Sequence, residues 1–183
     1  MMRILRWITV LITLVVIMGA GALAYSFAQT RPLTLIVYMT KPQTPAVVQW
    51  AAWHSFFVFH PTRGEVRRLN EQAGARYAAI FDNREHAETI LDHLLEHGVN
   101  IDSVDEASGL TALQGAALQG DEKAVNLLLS GNAKPNAVGR PNSEGNPSLT
   151  PLEIAKKARD KEGGSNSGNY DDIIAALRKA LNE

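Results

Sequence analysis

The chain has 183 residues, of which 45% are hydrophobic and 20% charged, with a formal net charge of −1. That balance fits a folded protein with room for one domain and a targeting segment. It has no cysteine, which excludes disulfides, cysteine nucleophiles, cysteine-ligated zinc and a lipid-modified N-terminal cysteine. Without Arg3 and Arg6 the remainder holds 16 basic and 19 acidic residues, so as a whole it is expected to have no general attraction for nucleic acid or anionic lipid.

Met1 to Arg6 is short and basic, and Trp7 to Tyr25 (WITVLITLVVIMGAGALAY) then runs 19 residues without a charge. Two readings compete for residues 1–28. As an uncleaved signal anchor, 19 residues at ~1.5 Å each reach nearly across a ~30 Å hydrocarbon layer. As a signal peptide, Ala22-Leu23-Ala24 and Ser26-Phe27-Ala28 both offer small-x-small cleavage sites. The anchor reading is preferred. Either way the positive-inside rule leaves Arg3 and Arg6 in the cytoplasm and exports the rest. In a bacterium that predicts a periplasmic domain, held at the inner membrane through residues 7–25 if the leader stays on.

Residues 29–74 read as a linker and N-terminal cap helices. The LTLIVYM stretch between Pro32 and Pro42 is expected to be a strand or a stiff spacer. Thr44-Pro45 suggests a helix start, with Thr as N-cap and Pro first in the helix. Ala46 to Phe59 (AVVQWAAWHSFFVF) is an apolar helix too short to span a bilayer. Burial against neighbouring helices is preferred for it over lying in a membrane interface. The aromatic residues Trp50, Trp53, Phe56, Phe57 and Phe59 favour a hydrophobic cap over the first unit of a repeat array. Pro61 ends this helix. Thr62 and Glu65 then stand at capping-box spacing for another, which Gly74 is expected to close.

From Ala75 short helical stretches alternate with polar turns. Residues 86–95 (HAETILDHLL) lie over residues 120–129 (GDEKAVNLLL) at a spacing of 34, with Gly98 over Asn132 and Asp102 over Asn136. A fixed period of this length is the mark of a repeat architecture.

Residues 105–137, DEASGLTALQGAALQGDEKAVNLLLSGNAKPNA, resemble the ankyrin repeat. Asp105, Gly109, Thr111, Leu113, Ala116, Ala117, Gly120, Val125, Leu127, Leu128, Leu129, Ala133, Asn136 and Ala137 fall on the family's positions. Ala112, Gln114 and Asn132 replace its usual Pro, His and Gly. Thr111 is placed to cap a first helix, Gly120 to make the turn, and Asn132 to end the second helix in a left-handed conformation. Thr150-Pro151-Leu152-Glu153-Ile154-Ala155 is similar to the start of a further repeat. Its partner helix would run from Tyr170 to Leu181, opened by Asp171 and Asp172. Ala75 to Asp102 resembles a degenerate first repeat whose first helix, near Tyr77 to Phe81, is not recognisable. The resemblance covers residues 75–183, about three repeats. It departs from the family at the enlarged turn 137–149 and the Gly/Ser/Asn loop 159–169.

Catalytic signals are sparse. His93 and His97 share a helix face at a spacing that suits zinc, but no third ligand is evident. His54 and Ser55 are helix neighbours and point different ways. No nucleophile elbow or phosphate loop is present. The expected fold is therefore all-α: residues 1–28 as anchor or leader, 29–74 as linker and cap, and 75–183 as a short ankyrin solenoid. The resemblance implies a non-catalytic, cofactor-free protein-binding role. Its surface would comprise Asp105, Glu106 and Ser108 at one turn, Arg140, Asn142 and Glu144 at the enlarged turn, and Gln114, Glu153 and Lys157 on first helices. An immunity protein that blocks a toxin is one form of that role. An envelope scaffold or stress-protective factor is another, and a hydrolase with a cryptic site ranks last.

Overall fold

A computed structural model of the chain describes residues 2–141, 148–162 and 167–182; the side chains at 2–6, 9, 16, 17, 20, 23, 24, 162, 167 and 168 are outside the description. The chain divides into two units, Met1–His60 and Pro61–Glu183. Among the described residues all regular structure is helical, apart from one isolated antiparallel bridge between Val104 and Thr111.

The first unit holds α1 (Met2–Ala28), α2 (Pro32–Thr40) and α3 (Ala46–Phe59). The LTLIVYM stretch is thus helical, not extended. Pro32 sits at the first helical position, where its fixed φ favours a helix and its missing N–H costs nothing. Leu35 and Ile36 are fully buried, and α2 packs mainly on α3. Tertiary burial has overridden the strand preference of the β-branched residues. Helix α3 starts one residue later than expected, with Pro45 rather than Thr44 as its N-cap. It ends at an extended His60, as the following Pro61 requires. The aromatic stretch lies on α3, in the first unit, where α3 turns Ala51, Ala52, Ser55 and Phe56 inward and packs on α2 and α1. The expected 7–25 span is also not found: among the described residues no helix is long and apolar enough to cross a membrane. Some side chains of that stretch lie outside the description.

The second unit begins with α4 (Arg63–Glu71), whose Thr62–Glu65 capping box forms as expected, with the Thr62 N–H donating to Glu65 Oε2 at 2.7 Å. Left-handed Ala73, with φ 47°, precedes the next turn; Gly74 does not end α4 but opens a 3-10 helix, Gly74–Ile80. This short helix occupies the place of the unrecognisable first helix. It is followed by α5 (Arg84–Glu96), α6 (Ala112–Gln119), α7 (Glu122–Ser130), α8 (Pro151–Glu162) and α9 (Ser167–Leu181). Helix α6 packs on α7 and α8 packs on α9; α6 also packs on α8, and α7 on α9. The 3-10 helix packs on α5, α6 and α7. From α6 to α9 first helix therefore stacks on first and second on second, which is the geometry of a solenoid.

The 34-residue period reappears in the hydrogen bonds that close α5 and α7. Val99 N–H donates to Leu94 O at 3.0 Å and Ala133 N–H to Leu128 O at 2.9 Å. Gly98 and Asn132, one period apart, are both left-handed with φ of 92° and 65°. These are C-terminal caps in which an asparagine does the work of a glycine. Leu127 is buried beside Val125 and Leu128. Helix α9 starts at Ser167 rather than Tyr170, so Asp171 and Asp172 fall beyond its first turn.

Gly120 ends α6 at φ 69°, and a Cβ there would meet the Tyr170 ring at 3.1 Å. Tyr170 is buried, and its hydroxyl donates to Leu118 O at 3.1 Å. Gly120→Ala is therefore expected to destabilise the helical unit by at least about 1–2 kcal/mol, the usual cost of a left-handed non-glycine residue. Denaturant unfolding followed by circular dichroism measures it. An unchanged midpoint would show that neither the turn nor the Tyr170 contact constrains the stack.

Candidate functional site

The turns between repeats form a ladder. Residues 104–111 fold into a tight hairpin in which Asp105 N–H donates to Leu110 O at 2.9 Å and Gly109 N–H to Asp105 O at 2.8 Å. Glu106 N–H reaches back to Glu71 O at 2.9 Å, and Arg140 N–H to Gly109 O at 2.8 Å. Side chains repeat the pattern. Asn70 Oδ1 accepts from Asn100 N–H at 2.7 Å, and Asp102 Oδ1 accepts from Lys134 N–H at 2.9 Å. Each turn is thereby fastened to the next at the 34-residue step, so its exposed tip is held on a rigid support. Gly139 belongs to this fastening: a Cβ there would collide with Gly109 O and stand 2.8 Å from Gln114 Oε1.

The structure separates the nine expected surface residues. Glu106, Ser108 and Arg140 are exposed, and the Arg140 guanidinium lies 3.8 Å from the Glu106 carboxylate. With both side chains well exposed, that pair adds little stability and leaves a charged tip open to a partner. Glu153 and Lys157 are exposed on α8. Glu153 Oε2 already accepts from the Thr150 N–H at 2.8 Å and hydroxyl at 2.9 Å. Those two bonds hold its carboxyl below the ordinary value. Asn142 and Glu144 lie outside the described residues.

Asp105 and Gln114 are corrections. Asp105 is 8% exposed, and its Oδ1 accepts from Ala107 N–H, Ser108 N–H and the Ser108 hydroxyl. Arg76 stands 3.6 Å from its other oxygen. The Ser108 backbone bond is the main cause that lowers its pKa from 3.8, assisted by the Ser108 hydroxyl and Arg76 and opposed by burial. Gln114 has no exposed surface. Its Oε1 accepts from Thr111 N–H at 2.8 Å, while its Nε2 donates to Leu149 O at 2.6 Å and Ser148 Oγ at 3.0 Å. Both residues brace the turns instead of meeting a partner, because a hairpin tip needs an acceptor at its base and a stacked helix buries its first turn.

Sequence reasoning missed a hollow of about 390 Å³ on the first-helix side, lined by Arg76, Tyr77, Ile80, Gly115 and Gln119 among others. The Arg76 guanidinium lies over the Tyr77 ring, 5.3 Å from its centroid, and Ile80 is 49% exposed. Gly115 and Gln119 were findable, since they lie four and eight residues beyond Thr111 on the face opposite the buried Leu113 and Ala117. Arg76, Tyr77 and Ile80 were not, because their helix has no readable period.

The histidines are locally engaged. His97 Nδ1 shares a hydrogen bond with His93 O at 2.8 Å, and the two ring centroids lie 4.2 Å apart with the planes tilted by 47°. Among the described residues no group of three or more His, Asp or Glu is placed to hold a metal ion. His54 Nδ1 is bonded to Trp50 O at 2.8 Å, and its neighbour Ser55 is buried.

Two outcomes are expected. Gln114→Ala leaves Thr111 N–H and Leu149 O without partners, and should cost about 1–3 kcal/mol in denaturant unfolding. Gln114→Glu keeps the acceptor, loses the donor, and should not restore stability. The second concerns pH. The folded-state pKa of Asp105 is depressed, so its contribution is complete above the ordinary carboxylate pKa and is lost as pH falls through the lowered value. Thermal melts of Asp105→Asn should therefore fall less steeply below about pH 4 than those of the parent protein.

With this geometry in place, the family model for the Ankyrin repeat matches residues 108–140. No curated protein and no solved structure matches the chain. The matched segment runs from the hairpin tip at Ser108 through α6 and α7 to the next tip at Arg140, and it is stacked on similar helix pairs. Residues 108–140 of the chain are an ankyrin repeat.

Proposed function

We propose that the helical array of the second unit binds another protein through its hairpin tips and the adjoining first-helix hollow. The ladder of inter-turn bonds, Glu106 N–H to Glu71 O and Arg140 N–H to Gly109 O, carries this reading. It fixes the backbone of exposed, charged tips before any partner arrives, and so lowers the ordering cost of association. The same tips do little for stability, so their side chains are available for recognition. The ankyrin match supports an interaction role rather than catalysis.

The finer reading places this domain outside the cytoplasm, in the periplasm of a bacterium, with the N-terminal segment as its address. The basic residues ahead of a charge-free run of 19 support export. In that setting the partner is a toxin or effector that the array blocks. Pull-down with the full-length protein from source-cell lysate, paired with a Glu106→Lys/Arg140→Glu variant, tests the binding surface. The parent should retain a protein that the variant loses by about tenfold or more, in line with removal of an interface charge pair. Equal recovery by both would remove the tips from the interface. Protection of cells expressing the chain against a co-encoded secreted toxin tests the immunity role, and unchanged killing would end it.

A further inference from the structure

The charges are divided unevenly between the two units. Residues 1–60 contain Arg3, Arg6, Arg31 and Lys41 and no acidic residue. The remaining 14 basic residues and all 19 acidic ones fall in Pro61–Glu183, which is net −5. From residue 32 to residue 62 the single charged side chain is Lys41.

Exposed apolar surface is divided the same way. Among the described residues 15 of the 18 exposed large hydrophobic side chains lie in the first unit. Four are on α3, Phe59 at its C-terminal end and three along one face: Val47 is 66%, Trp50 62% and Val58 69% exposed. With His54 they form one stripe at helical spacing, while Ala51, Ala52, Ser55 and Phe56 are buried on the other side. On α2, Leu35 and Ile36 are buried and Val37 and Tyr38 are exposed. A helix that is apolar on every side requires apolar surroundings on every side. The other helices of the unit supply one such side. Water cannot supply the other, because so large an apolar patch is not left open on a soluble protein. His54 does not break the stripe, since its ring lies against Trp50, centroids 4.2 Å apart, and is bonded to the Trp50 carbonyl.

We propose that α2 and α3 form a helical hairpin lying in the interface of a membrane with anionic headgroups, with Val47, Trp50 and Val58 against the acyl chains. At 14 residues α3 covers about 21 Å, short of a ~30 Å hydrocarbon layer, so it lies in the bilayer surface without crossing it. Arg31 and Lys41 stand at the two ends of α2 as its N-cap and C-cap, both exposed. That is where cations meet phosphate and anionic headgroups. Trp50 and Tyr38 are residue types that settle at this depth. The occupant is therefore lipid of negative surface charge, and the proposal stands independently of the protein-binding role.

The test reads Trp50 directly, so anchoring by any other segment does not affect it. The chain has three tryptophans, and Trp7→Phe with Trp53→Phe leaves Trp50 alone. The full-length variant is reconstituted in vesicles of phosphatidylethanolamine and phosphatidylglycerol, with its circular dichroism melt compared to the parent as a folding control. Brominated acyl chains should quench Trp50 emission at least about twofold, and more strongly than aqueous iodide. Stronger quenching by iodide places Trp50 in water, and protection from both quenchers places it under protein; either result overturns the proposal. Adding Arg31→Glu and Lys41→Glu should weaken lipid quenching in these vesicles more than in vesicles of phosphatidylcholine. Equal quenching in the two lipids would overturn the role given to anionic headgroups.

Discussion

Gln114 has no exposed surface, and its amide must find every partner inside the protein. It does so by spanning two repeats: Oε1 takes the Thr111 N–H at the start of α6, and Nε2 gives to the Leu149 carbonyl and the Ser148 hydroxyl ahead of α8. A buried amide left half-bonded would be costly, so a single relative placement of α6 and α8 satisfies it. The apolar layer beneath has no such directionality. Leu113, Ala116, Ala117, Val125 and Leu128 would tolerate small slides of one helix pair on the next; the hydrogen-bonded amide does not. The position of each hairpin tip follows from that register.

The array is held on its loop side by backbone and by short polar side chains. Asn70 and Asp102 accept from the turn of the following repeat, and Asp105 closes its own hairpin with three bonds. These polar residues look in sequence like recognition surface. Their chemistry is consumed by the need to satisfy the backbone of tight turns. What remains for a partner is the outer tip, Glu106, Ser108 and Arg140, and the neighbouring hollow around Tyr77 and Ile80.

The first unit obeys a different logic. The second unit alternates buried apolar and exposed charged positions, as a helix facing water must. Helices α2 and α3 have no such alternation and almost no charge. Their packing partners account for one face each. An interfacial setting for the other face reconciles their length, their composition and the positive sign of the charges at the ends of α2.

The sequence by itself determined the repeat: the 34-residue period, the Thr111 and Thr62 caps, the left-handed role of Asn132 and the end of α3 before Pro61 are all local facts of residue type and spacing. Even the substitution of Asn for Gly at 132 was readable, because both tolerate positive φ. Only the tertiary structure decided what lies beyond local reach. It made α2 a helix, because burial against α3 outweighs the strand preference of Ile36 and Val37. It turned the degenerate first helix into a 3-10 segment that still fills its place in the stack. It also moved Asp105 and Gln114 from the surface to the frame. Period and capping are properties of neighbours in sequence, whereas burial depends on what another part of the chain brings to the same place.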